Sequence, residues 1–204
     1  MKFSILSFII GTTISIINAV DYKCDYNNRY ISFADETFYD CKLVKGTIDD
    51  ESERDVESIT GRHLRKQHNS KVESLSIKKK IHTLMPHNVE SYFENLICLD
   101  IYEVGLKEIH QEDLEPYSDL KYLSLANNEL KNLDRYLFEK NPELEVIMLF
   151  NNEIVFVNAA FQGLDNLRDL NFENNVCHSG AVKNSVSRVT DLIEEIYVDC
   201  NLQS

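Results

Sequence analysis

An α/β solenoid, built from stacked coils of about two dozen residues each, is what this sequence predicts. Three observations predict it. Apolar ladders recur through the chain: Leu96, Leu99, Ile101, Leu106 and Ile109; then Leu120, Leu123, Leu125, Leu130 and Leu133; then Leu144, Ile147, Leu149, Ile154 and Val157; then Leu167, Leu170 and Phe172. Their first residues lie 24, 24 and 23 positions apart. Asparagine holds one fixed slot in the later ladders, at Asn128, Asn152 and Asn175. A large apolar residue returns late in each unit, at Phe93, Leu114, Phe138 and Phe161.

This is the leucine-rich-repeat period. Each unit opens with a short strand whose alternate side chains point inward, as Leu123 and Leu125 do around Ser124. One strand cannot bury that face alone, because burying each such side chain is worth roughly 1.5–3 kcal/mol. Ordering the backbone costs about 1–2 kcal/mol per residue over the whole coil. Coils stacked edge to edge share the core, so the sequence predicts a curved parallel β-sheet on the concave face. The late aromatic residues fill the space behind it. The asparagine amide, with two donors and an acceptor, serves backbone groups that the turn after the strand leaves unpaired. Val104 and Lys80 hold that slot in the earlier coils, where looser or differently paired turns are expected.

The elements follow in order. Residues 1–19 read as a signal peptide: Lys2, an apolar run from Phe3 to Ile17, and the small Ala19 at the cleavage position. Residues 20–71 form an N-terminal cap, in which Val56 and Ile59 are expected to start a degenerate first coil. Residues 72–176 hold the repeats, beginning with Val72, Leu75, Ile77, Ile81 and Leu84. Residues 177–204 form a C-terminal cap, with a helix whose apolar stripe is Val182, Val186, Val189, Ile193 and Ile196.

A solenoid has two open ends, and both must be closed. Five cysteines in an exported chain imply disulfides. Cys24 and Cys41 flank a segment rich in Tyr and Phe at one end, and Cys177 and Cys200 flank the other. Spacing favours Cys24–Cys41 and Cys177–Cys200, giving disulfide-closed caps, although connectivity does not follow from sequence. Cys98 is left over, as a free or intermolecular thiol on the concave side or near an edge.

The net charge of −13 favours solubility and argues against a nucleic-acid partner. After signal cleavage no membrane-spanning segment is expected. No zinc-protease, nucleophile-elbow or phosphate-loop spacing is present, so the reading is not an enzyme, with no catalytic residues, no metal and no cofactor. Function is expected instead on the outward strand positions of the concave face. Most of these are polar, but Tyr102, Tyr122, Val146, Met148 and Phe150 are not. Such residues are enriched at interface cores, so the expectation is a secreted, extracellular protein that binds a protein ligand there. The alternative is a structural or matrix-type protein that self-associates, as a homodimer, through its acidic surface or Cys98. The basic run Arg62, His63, Leu64, Arg65, Lys66, Gln67 and His68 is either a solvated loop or a contact for an anionic partner.

Beyond the generic repeat, residues 56–64 (VESITGRHL), 88–96 (NVESYFENL), 112–117 (EDLEPY) and 137–144 (LFEKNPEL) resemble short secreted leucine-rich-repeat proteins of insects, of the midge and mosquito type. The resemblance implies an extracellular recognition protein, some relatives of which act in innate immunity, and brings no catalytic residues. The chain departs from larger immune members in having few coils and no long coiled-coil tail.

Overall fold

The computed structural model describes residues 20–46, 54–78 and 84–201. The expected signal peptide, Lys80 and Ile81 lie outside the described residues. The chain is a leucine-rich-repeat solenoid. Its backbone is a nine-stranded sheet: β1 (Val20–Ile31), β2 (Glu36–Lys45), β3 (Val56–Thr60), β4 (Ser74–Lys78), β5 (Cys98–Tyr102), β6 (Tyr122–Ser124), β8 (Val146–Met148), β10 (Asp169–Asn171) and β11 (Ala181–Val182). The spatial order is β11-β10-β8-β6-β5-β4-β2-β1-β3. From β2 to β10 all neighbours are parallel, and Leu75, Leu99, Leu123, Ile147 and Leu170 stand in register. Each of these five is essentially inaccessible to solvent, because its strand is paired on both sides and its side chain enters the shared core. Behind the sheet, the small parallel pair β7 (Asn132–Leu133) and β9 (Phe156–Val157) and the one-turn helix α1 (Gln111–Leu114) carry the chain back. Phe93, Leu114, Phe138 and Phe161 are buried there, as the repeat requires.

The asparagine slot works through the neighbouring coil. Asn128 Oδ1 accepts the N–H groups of Val104, Gly105 and Leu106 at 3.1–3.2 Å. Its Nδ2 donates to the carbonyls of Ile101 and Leu125 at 2.9 Å. Asn152 accepts from Leu130 N–H, and Asn175 accepts from Ile154 N–H. Each amide therefore staples its own turn to the turn before it. The Val104 turn lacks its own asparagine and is closed by Asn128 from the next coil, so it is not left loose. One residue ahead of this slot, Asn127, Asn151 and Asn174 adopt left-handed backbone with φ of 58°, 56° and 56°. Asparagine tolerates that region better than most L-residues. Their side chains form a second, exposed ladder, with Asn151 Nδ2 donating to Asn127 Oδ1 and Asn174 Nδ2 to Asn151 Oδ1.

Both ends are capped by disulfides, Cys24–Cys41 and Cys177–Cys200. At the C-terminal end, helix α2 (Val186–Asn201) buries Val189, Leu192, Ile196 and Cys200. The expected stripe is shifted: Val182 belongs to β11, Val186 is exposed at the helix start and Ile193 is only partly buried. The buried face runs in phase with the disulfide-bonded Cys200, which the expected apolar stripe did not include. At the N-terminal end the sheet continues into the antiparallel β1–β2 hairpin. The segment around Val56 and Ile59 does not open a coil beside β4. β2 takes that place, and β3 pairs with β1 at the outer edge of the sheet. A buried ion pair, Arg54–Asp113, ties the end of this cap to α1, and Arg54 Nε donates to the Met85 carbonyl at 2.9 Å.

Candidate functional site

The outward strand positions form rows across the concave face. The first row is Ser74, Cys98, Tyr122, Val146 and Asp169, and the second is Ser76, Asp100, Ser124, Met148 and Asn171. Lys78 and Tyr102 pair to begin a third row, which the repeat continues through Ala126, Phe150 and Glu173. Every member of the first row is buried, Tyr122 and Val146 to 3% and 1% exposure. The expectation that these two line an open surface is therefore corrected.

The β1–β2 hairpin covers them. Only Asp40, Cys41 and Lys42 of β2 pair with β4, and the hairpin end beyond them lies over the concave strands. Ile31, Ala34 and Phe38 join Cys98, Tyr122 and Val146 in a second apolar cluster, separate from the solenoid core, with Phe33, Ile97 and Met148 packed against it. The Phe38 and Tyr122 rings lie 5.6 Å apart, and Tyr122 Oη donates to Glu36 Oε1 at 2.9 Å. Desolvation, and then the bond to Glu36, push the Tyr122 phenol up to about 12, so it remains a donor. Tyr122 and Val146, two of the apolar residues that depart from the polar rule of concave strands, thus form an intramolecular docking surface. Cys98 is free but fully buried in this cluster, and burial pushes its thiol up. An intermolecular disulfide through Cys98 would require the hairpin to lift, so of the two alternatives its burial favours the free thiol.

A charged cluster lies beside the apolar one. Arg29 of the hairpin donates through one guanidinium nitrogen to Ser76 Oγ and through the other to Asp100 Oδ2 at 2.9 Å. Lys78 Nζ stands 3.0 Å from the same Asp100 oxygen and 5.0 Å from the centroid of the Tyr102 ring. Ser76 Oγ donates to the buried Asp40 at 2.8 Å. Desolvation raises the Asp40 pKa; the serine hydroxyls and Arg29 oppose this. Of these three hairpin-to-sheet links the Ser76–Asp40 bond is buried and the two from Arg29 are partly buried, and together they tie the hairpin across the face.

What stays open is a groove of about 180 Å³ between the hairpin end and the strands. Its walls include Phe33, Tyr102, Met148 and Phe150, all partly exposed, with Arg29, Lys78 and Asp100 at one end. Tyr30, 59% exposed, stands at its rim. Of the five expected concave residues the structure brings Tyr102, Met148 and Phe150 into this groove and places Tyr122 and Val146 beneath the hairpin. Sequence reasoning missed Arg29, Tyr30 and Phe33. The aromatic content of the cap was visible, but not the strand pairing that swings it across the sheet.

The basic run behaves differently along its length. His63 stacks on Tyr26 at 3.9 Å and bonds to Tyr39 Oη and Asn69 Oδ1, so it anchors the loop. Arg62, Arg65 and Lys66 are exposed. Among the described residues, no group of three or more His, Cys, Asp or Glu is arranged to hold a metal ion, and no helix is long and apolar enough to cross a membrane.

Comparison with known proteins agrees with this architecture. Residues 118–176 match the family described as leucine rich repeat. The NT-3 growth factor receptors of Mus musculus and Rattus norvegicus are each 36% identical to the chain over 72 residues. Those matches take in 35% of this chain and 9% and 8% of the two receptors, so the chain spans less than a tenth of these relatives. Among solved structures, a TLR13–ssRNA13 complex matches with a TM-score of 0.50 at 21% identity, over 59% of this chain and 18% of that one. The LRIM1/APL1C complex matches at 0.49 and 18% identity, over 76% of this chain and 31% of that one. At 21% identity the likeness to the TLR13 structure is one of fold.

Proposed function

We propose that this chain is a secreted protein that binds another protein through the open groove of its concave face, in extracellular recognition. The observation that carries this reading is the contiguous, partly exposed set of Phe33, Tyr102, Met148 and Phe150 on a rigid support. Aromatic residues and Met are enriched where interfaces bury most. Paired strands and the pinned hairpin hold the side chains in place before contact, so little conformational entropy is lost on binding. The two disulfides suit an oxidising compartment, and the acidic charge disfavours nucleic acid as a ligand.

The test is selection of a random peptide display library against the purified, oxidised chain, with binders re-measured against Tyr102→Ala and Phe150→Ala. Binders that lose about tenfold or more on each variant, at unchanged circular dichroism, support the groove. A library that yields only binders indifferent to both substitutions removes the proposal. Mass spectrometry of protein from culture medium tests secretion separately; the expected mature chain begins at Val20.

A further inference from the structure

The groove has a polarity that narrows what it can hold. Resting on the groove reading above, we propose that its partner is an extended segment of polyproline II type carrying one carboxylate three residues from an aromatic side chain. The aromatic group seats between Phe33, Met148 and Phe150, and the carboxylate meets Lys78 at the end nearer the N-terminal cap.

Size comes first. About 180 Å³ is smaller than the ~300–1,000 Å³ of sites that enclose a whole small molecule. It suits one large side chain of a partner that continues outside. The apolar walls call for an aromatic or large aliphatic group, and an aromatic side chain offers the greater payload against Phe and Met.

Charge sets the direction. Arg29 and Lys78 converge on one oxygen of Asp100. The second nearby carboxylate, Asp40, is fully buried with Ser76 and Arg29 at its side and does not line the groove. Lys78 keeps 35% of its side chain exposed, and an ammonium has three donors, of which Asp100 takes one. A cation is thus presented at one end of the groove in a chain of net charge −13. Glu173 lies in the same row beyond Phe150, so the opposite end repels a carboxylate.

The row gives the spacing. Lys78 and Phe150 are three strands apart, about 14 Å at the usual interstrand distance. The Lys78 ammonium leans over Tyr102, one strand nearer, leaving about 10 Å, which a segment of polyproline II type covers in three residues of about 3.1 Å each, with its i and i+3 side chains on one face.

The experiment uses the oxidised full chain and four fluorescent Gly/Ser decapeptides. Two carry Asp and Phe separated by two residues, in either order; one replaces Asp with Lys, and one replaces Phe with Ala. Fluorescence anisotropy at low and physiological salt reads the affinities. At least one Asp/Phe peptide is expected to bind about tenfold or more tighter than the Lys/Phe and Asp/Ala peptides. Lys78→Glu should reverse the Asp-over-Lys order, and Lys78→Gln should flatten it, with Arg29 still holding Asp100 in both. Equal binding of Asp/Phe and Lys/Phe, an order unchanged by Lys78→Glu, or no binding by any peptide overturns the proposal. If display selection meanwhile yields other sequences that lose affinity on Phe150→Ala, the groove reading stands and only this partner chemistry falls. If the selected binders are instead all indifferent to Tyr102→Ala and Phe150→Ala, both fall.

Discussion

Asn128→Ala is the sharpest test of how the coils are held together. The side chain is 7% exposed and spans two coils: its oxygen takes three backbone N–H groups, from Val104, Gly105 and Leu106, and its nitrogen serves the carbonyls of Ile101, Leu125 and Ala126. Alanine leaves these groups facing a small dry space. The bonds are shared and not all equally strong, so two fully orphaned groups are a fair minimum. At about 1–3 kcal/mol for each unsatisfied buried group, the loss is about 2–6 kcal/mol. That is a large part of the ~5–15 kcal/mol available to an ordinary domain. Asn128→Asp should be at least as damaging, since it keeps the acceptor but turns a carboxylate oxygen toward three carbonyls. Urea unfolding followed by far-UV circular dichroism, with disulfides intact, measures both. A loss below about 1 kcal/mol for Asn128→Ala would mean that the backbone closes these turns without the amide, and the account of coil stapling would be wrong.

Other predictions follow from particular positions. Glu103 sits at φ 57°, where the later coils place asparagine, and its side chain is exposed; Glu103→Asn should stabilise by roughly 1 kcal/mol in the same urea assay, because a non-Gly, non-Asn residue in that region costs about 1–2 kcal/mol. Phe38→Ala should cost about 3–5 kcal/mol and unmask Cys98, read as fast reaction with a thiol reagent, whereas the unmodified chain should react only after unfolding. Asp40 has its folded pKa raised by desolvation, so its favourable contribution is present while it is protonated and is lost as pH rises through that raised value. Asp40→Asn should therefore gain thermal stability relative to the unmodified chain as pH rises above the ordinary carboxylate range, and a difference in melting temperature independent of pH would refute this.

How far residues alone revealed this molecule varies by element. Leu99, Leu123 and Leu170 declare their stacking, since a period near 24 has no other economical burial. Asn128, Asn152 and Asn175 declare a turn, but not that each closes the preceding coil as well. Val56 and Ile59 looked like the start of a coil because apolar spacing carries no information on which strand it pairs with. Arg54 and Asp113, a buried pair 59 positions apart, left no local signal.

Repeat period and cysteine placement determined the solenoid, its inward residues and its two capped ends, because stacking is a nearest-neighbour property that each coil writes into its own residues. Only the tertiary structure decided which apolar concave residues are open. Tyr122 and Val146 hold the first outward position of their coils and Tyr102, Met148 and Phe150 later ones, but nothing in the local sequence tells which row is covered. Tyr122 and Val146 lie under a hairpin whose course is set by Arg29, Glu36 and Phe38, dozens of positions away, and burial by so distant a segment is a property of the folded chain alone.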